Sequence, residues 1–307
     1  MLDYVSLSAV AHVVREGSFE RAAQALHVTP SAVSQRVKLL EERLGLALIV
    51  RGTPCTATEA GHWLCRHVEH VGMLERDLHA ALPALDTQDP AGGRVTLRIA
   101  VNADSLATWF IDAAQAFSST ESALLDLSAD DQDHTAEWLR EGTVLAAVSS
   151  STKPVQGCHL VPLGQMRYVA SASPDFMRRH FPDGVAAAAL ANAPCLTFNR
   201  KDQLQATWAR QACGDAVTMP QHWLPSSQGF VQAALAGMGW GMNPMGMVAD
   251  HLRSGALVRL QADSDLLVPL VWQHARLKIP MLDRLTAAVV AAAKSALEDG
   301  AMDRRAR

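Results

Sequence analysis

The tightest constraint in this sequence is a corner. Residues 19 to 27, FERAAQALH, carry a helical pattern and a further helix starts at Thr29 and Pro30, which leaves only Val28 and Thr29 to turn the chain. Thr29 supplies a capping oxygen, and Pro30 suits the first helical position because an N–H there has no partner to lose. Two helices joined so closely make a helix-turn-helix. Ahead of them Leu7, Val10, Ala11 and Val14 form an apolar stripe at helical spacing, Gly17 interrupts it and Ser18 caps the second helix.

On the third helix a step of 100° per residue gathers Val33, Val37, Leu40 and Leu44 into one arc facing a core. Ser31, Ser34, Gln35, Lys38 and Glu42 fall on the opposite arc. A merely solvated face is usually Glu, Lys and Arg, and Ser is a poor helix former. Ser and Gln can bond base edges or phosphate in a major groove, and Lys38 can contact phosphate; a solvated face is the competing reading. Arg36, Lys38, Arg43 and Arg51 against Glu41 and Glu42 give residues 30 to 51 a mild positive excess, although the chain carries a formal charge of -4. Gly45 closes the helix, and LALIVRGTPCTAT has the apolar run, Gly and Pro of a short hairpin or wing with Arg51 at its bend.

From the capping candidate Thr58 a long helix follows. Leu64, Val71, Leu78 and Leu85 recur every seven residues, with Val68 and Leu82 in the alternate seam, so this helix is expected to pair with a second copy. DTQDPAGG then marks a hinge. Beyond it strand and helix patterns alternate in two sets, an α/β arrangement with a parallel sheet; a final strand LLVPLVWQ and a helix from Pro280 return to the first set. Two lobes joined by two crossings leave a cleft at strand C-termini, where small ligands bind.

Other functions are disfavoured. No apolar run reaches bilayer length and no signal-peptide pattern opens the chain, so a cytoplasmic protein without membrane contact is expected. The cysteines 55, 65, 158, 195 and 213 lack a C-x-x-C pair, and His67 and His70 on the long helix lack a third ligand, so neither metal nor cofactor is expected. GMGWG at 237 to 241 lies between a helix and a strand, the wrong order for a dinucleotide loop. The competing classes are a two-lobed binding protein or enzyme with an added interaction module, which lacks a catalytic constellation, and a redox sensor resting on Cys195 and Cys213.

FERAAQALHVTPSAVSQRVKLLEERLGLALIVR with TATEAG resembles the N-terminal signature of LysR-type transcriptional regulators. LREGTVLAAVS and AALAGMGWGMNPMGMVADHLRSGALVRL are similar to that family's effector domain. AVNADSLATW, FERAAQ and RGTPCTATEAG resemble in particular the ArgP/LysG regulators of lysine and arginine export. The resemblance implies an α+β multidomain chain and no enzyme activity. It implies a winged helix-turn-helix over residues 1–58, a dimerisation linker helix over 59–86 and a periplasmic-binding-protein-like effector domain over 87–307. Lobe I spans about 93–163 and 267–307, and lobe II about 164–266.

It further implies that the helix opened by Thr29 and Pro30 enters the major groove of promoter DNA. Ser31, Ser34, Gln35 and Lys38 are then contacts to bases or phosphate, and Arg51 touches the backbone near the wing. Arg36 is divided between phosphate contact and an ion pair. Dimers pair into tetramers, contact RNA polymerase and respond to lysine or arginine. Multiplying the module over protomers makes DNA binding salt-dependent although one chain is weakly charged.

For the effector, Asn102, Asp104 and Ser105 stand where a strand runs into a helix, a place suited to a carboxylate. Asp130 or Asp131 would pair a ligand cation, with solvated loop acids capping the next helix as the alternative. Ser149, Ser150, Asn199 and Ser227 could close a polar ring, with ordinary loop hydrogen bonds as the alternative for each.

Overall fold

A computed structural model describes residues 3–82, 95–130 and 135–299 of the 307-residue chain. The chain opens with α1 (Tyr4–Glu16), α2 (Phe19–Ala25) and α3 (Pro30–Leu44). Asp3, Ser18 and Thr29 cap them, each side chain accepting a backbone N–H of the first turn. The corner differs from the sequence reading. α2 ends at Ala25 rather than His27, and His27 takes a left-handed conformation, φ 52°, so four residues make the turn. Val33, Val37 and Leu40 are buried with Leu7, Val10 and Val13, but Leu44 is 37% exposed because the chain turns away at Gly45. A two-stranded antiparallel wing, β1 (Ile49–Val50) and β2 (Thr56–Ala57), completes the module.

α4 (Glu59–Ala81) follows, capped by Thr58. In its first half Leu64 and Val68 pack, partly buried, on the core of the winged module, beside buried Cys65. Sevenfold spacing does not reveal whether a seam meets another chain or its own domain, and α4 does pack against α1. Val71 is half-buried, Leu78 and Leu82 are exposed, and Trp63 and Leu74 join the exposed apolar surface. Leu85 lies outside the described residues.

The effector domain contains β3 (Thr96–Asn102), α5 (Ala103–Thr108), α6 (Phe110–Ser118), β4 (Leu124–Asp130), α7 (Thr135–Glu141) and β5 (Ala146–Ser149). Then come β6 (Cys158–Ala172), α8 (Pro174–His180), α9 (Ala187–Leu190), β7 (Cys195–Thr197), α10 (Leu204–Cys213), β8 (Gln221–Trp223) and α11 (Ser227–Leu235). β9 (Gly241–Pro244), α12 (Met245–Ser254), β10 (Val258–Arg259), β11 (Leu266–Ala275) and α13 (Pro280–Ala296) end it. β4, β3 and β5 are parallel neighbours, but β11 pairs antiparallel with both β5 and β6, so the sheet is mixed rather than parallel. β6 is a single long strand of 15 residues. It runs from lobe I, where α13 packs on α6, into lobe II, where it meets β9 and β10. Gly239 explains part of GMGWG: a Cβ there would lie 2.9 Å from the Pro194 carbonyl oxygen.

Candidate functional site

Two surfaces carry chemistry. The first is the outer face of α3, where Thr29, Pro30, Ser31, Gln35 and Lys38 are exposed and Ser34 and Arg36 are partly so. Thr29 Oγ1 caps the helix at Ala32 and lies 3.0 Å from Ser31 Oγ, so short hydroxyls cluster at the helix N-terminus. Lys38 sits 3.6 Å from Glu42 across one turn, a solvent-exposed pair that costs little to open. Arg51, at the wing, lies over the Phe19 ring at 5.3 Å. The face therefore presents hydrogen-bonding groups backed by a rigid apolar core.

The second surface is a cavity of about 350 Å³ between the lobes. Asn102, Asp104 and Ser150 reach it from lobe I, while Asn199, Asp202, Ser227 and Phe230 reach it from lobe II, beside the crossing-strand residue Tyr168. Asp104 bridges the two sides. Its carboxylate accepts from the Tyr168 hydroxyl at 2.7 Å and from Ser227 Oγ at 2.5 Å. Burial raises the Asp104 pKa above the usual carboxylate value, the two hydroxyl bonds oppose that rise and the nearby Asp202 charge adds to it. Tyr168 is pushed well above the ordinary phenol range by burial and by Asp104. Asn102 also lines the cavity, and its buried Oδ1 has no hydrogen-bond partner among the described residues.

The predicted ring is thus partly assembled. Asn102, Asp104, Ser150, Asn199 and Ser227 meet at the cavity, but Ser105 and Ser149 do not line it. Ser105 is fully buried on the inner side of α5 and Ser149 is buried within β5. A short helix presents neighbouring residues to different sides, so Asp104 reaches the cleft where Ser105 does not. β4 ends at Asp130, whose side chain is not among those described, and Asp131 lies outside the described residues.

Tyr168, Asp202, Gln203 and Thr207 were missed as cavity residues. The signal for Asp202 was local. Asn199 Oδ1 accepts the Lys201 and Asp202 N–H groups at 2.8 and 3.1 Å, and Asp202 in turn accepts from Phe198 and Leu204, a loop-to-helix turn of Asn and Asp.

Burial pushes the Cys195 thiol up to about 11 and raises Cys213, which leaves both poorly disposed to form a reactive thiolate. His67 is within hydrogen-bond reach of the Tyr4 hydroxyl at 3.0 Å, and no metal-holding cluster occurs among the described residues. No described helix is long and apolar enough to cross a membrane.

A profile described as bacterial regulatory helix-turn-helix protein, lysR family, matches residues 5–62, and one described as LysR substrate binding domain matches residues 90–294. The chain belongs to the LysR family of transcriptional regulators. This LysR-type chain is accordingly a DNA-binding regulator with an effector domain and not an enzyme. It is 46% identical over 309 residues to the HTH-type transcriptional regulator LysG of Mycobacterium tuberculosis, covering 99% of this chain and 97% of the relative. The crystal structure of ArgP from Mycobacterium tuberculosis aligns with a TM-score of 0.80 at 45% identity, covering 98% of this LysR-type regulator and all of that chain. Full-length LysG from Corynebacterium glutamicum with bound effector Arg aligns at 0.69 and 37% identity, covering 97% of this chain and 100% of that one.

Proposed function

We propose that this regulator works as its ArgP and LysG relatives are named to do, with a basic amino acid as effector held between the lobes. The observation that carries the reading is the Asp104 carboxylate at the wall of an interlobe cavity, with Asp202 on the other side. A partly desolvated carboxylate is best compensated by a cation. Tyr168 and Ser227 occupy part of its acceptor capacity, and the orphan Oδ1 of Asn102 offers a further acceptor to an ammonium group. The cavity volume falls at the lower end of small-ligand sites, which suits one amino acid. Asp130, which ends the neighbouring parallel strand β4, or Asp131 next to it in sequence is the candidate for the far end of a long side chain.

On the DNA side, Thr29, Pro30, Ser31, Ser34, Gln35, Arg36 and Lys38 would enter the major groove and Arg51 would approach the backbone beside it. The units would be 1–58, 59–86 and 87–307, as the sequence suggests. In the cytoplasm the chain would pair through the exposed stretch of α4, assemble as dimers or tetramers at a promoter and contact RNA polymerase. Effector binding changes transcription only if the ligand prefers one arrangement of the assembly, since equal affinity shifts nothing.

Titration calorimetry of the full-length protein against L-lysine, L-arginine and norleucine tests the reading. Heat with either basic amino acid and none with norleucine is the expected result. Silence toward all three removes the basic-amino-acid effector while leaving the family assignment intact.

A further inference from the structure

The two strands that connect the lobes are irregular at the same height. β6 passes through Gly164 at φ 127°, and opposite it the β6–β11 register slips between Leu270 and Val271, so that Leu163 has no partner residue. A bulge in one strand beside a left-handed glycine in its path is a natural place for lobes to pivot.

A third piece of chain lies across this level. After α13, Glu298 forms an antiparallel bridge with Gln165, its N–H donating to the Gln165 carbonyl at 3.0 Å and its carbonyl accepting the Gln165 N–H at 2.9 Å. The side chain continues the link. Arg167 donates to both Glu298 carboxylate oxygens at 2.6 Å, and its third nitrogen reaches Asp265 at 3.2 Å. Asp265 also receives Arg259 of β10. Thus Glu298, anchored through α13 on lobe I, is connected by Arg167 and Asp265 to the edge strand of lobe II. Gly164 admits the segment, because a Cβ there would stand 2.7 Å from the Glu298 carbonyl oxygen.

We propose that Glu298 and Arg167 are positioning residues for the effector cleft. The segment after α13 straps the lobes across their hinge and holds the arrangement in which Asp104 of lobe I meets Tyr168 and Ser227. A forked Arg–carboxylate pair fixes orientation as well as distance, which a single contact would not. The chain supplies its own control. Arg284 on α13 makes a similar forked pair with Glu121, but both residues lie within lobe I and span no hinge.

The affinity arm of the test rests on the basic-amino-acid reading, and the exchange arm does not. Full-length Glu298→Gln is compared with wild type and with Glu121→Gln by hydrogen exchange without ligand, then by calorimetry with L-arginine and L-lysine. Faster exchange is expected in peptides holding Gln165–Arg167, Asp104 and Ser227 of the Glu298 variant, with the winged module unchanged. Its apparent Kd should rise roughly two- to fivefold, because a smaller fraction of molecules holds the competent arrangement and a partly exposed pair is worth little more. Glu121→Gln should do neither.

Arg167→Lys keeps the charge and loses the fork, so it should reproduce the exchange change in milder form. Wild-type exchange at the cleft in both strap variants, or an equal effect of Glu121→Gln, overturns the proposal. Failure of wild type to bind either amino acid counts against the effector reading, and the exchange comparison still decides the strap.

Discussion

Replacing Asp104 by Asn removes the charge on which the effector reading turns while preserving the side chain's size. In the free protein two hydroxyls converge on it, from Tyr168 at 2.7 Å and Ser227 at 2.5 Å. Asn can accept one of them through its oxygen and donate its NH₂ to the other, which must reverse. Burial already disfavours the Asp104 charge, so unliganded stability should change by no more than about 1 kcal/mol in either direction. The bound state is different. Truncating one partner of a desolvated, hydrogen-bonded charge pair costs about 2–4 kcal/mol, which is roughly a 30- to 700-fold rise in Kd. Calorimetry with L-arginine and L-lysine measures the rise, a thermal melt checks the fold, and operator binding without effector serves as the control. A Kd within threefold of wild type in a well-folded Asp104→Asn protein would refute the reasoning, and the cation would then have to be sought at Asp202.

The same carboxyl sets a pH dependence. Its folded pKa is raised, so the folded state takes up a proton in the window above the usual carboxylate value; acidification through that window favours the unliganded fold at this residue, the reverse of an ion-paired Asp. A cationic effector needs the ionised form, so its Kd should rise as pH falls through this window, and the rise should vanish in Asp104→Asn when followed by calorimetry across pH. On DNA, Gln35→Ala should cut the preference for operator over random sequence by about 1–3 kcal/mol with the salt slope unchanged, whereas Lys38→Ala should flatten that slope by about 0.9 per protomer, read by fluorescence anisotropy at several salt concentrations. Gly61→Ala places a Cβ 2.0 Å from the Leu48 carbonyl oxygen, while Gly72→Ala has nothing within 4 Å. Thermal unfolding should show the first destabilised by about 1–3 kcal/mol or more and the second stabilised by up to about 1; equal melting temperatures would count against this packing.

The parts legible in the sequence were those governed by short-range rules. Caps at Ser18, Thr29 and Thr58 gave helix starts because an N-cap is a local bond between a side chain and a nearby N–H. The cleft was foreseeable from strands ending near Asn102, Ser149 and Thr197, since parallel strands put their C-termini on one side. Tyr168 was not. It stands mid-strand in β6, and whether such a residue faces a core or a ligand depends on which elements pack across it. Ser105 misled for a related reason: one residue along a helix is 100° of rotation, and nothing local says which residue of α5 faces lobe II. Leu64 and Val68 obeyed the heptad spacing yet served the chain's own winged module.

That last point makes α4 an element whose rotational setting matters. One side of it belongs to the winged module through Leu64, Cys65 and Val68. A second is fastened to lobe I, where Glu69 pairs with Arg98, Arg66 donates to the Glu141 carbonyl at 3.1 Å and Met73 enters the effector core. A third, with Trp63, Leu74, Leu78 and Leu82, is left exposed. No axial turn of the helix spares all of these attachments. One residue inserted at Gly72 would rotate the C-terminal half of the helix by about 100°, swinging the exposed side away from any partner, whereas seven would restore its angle to within about 20° and lengthen the helix by roughly 10 Å, near three base-pair steps. Spacing between operator half-sites and the phase of this helix are therefore expected to be set together.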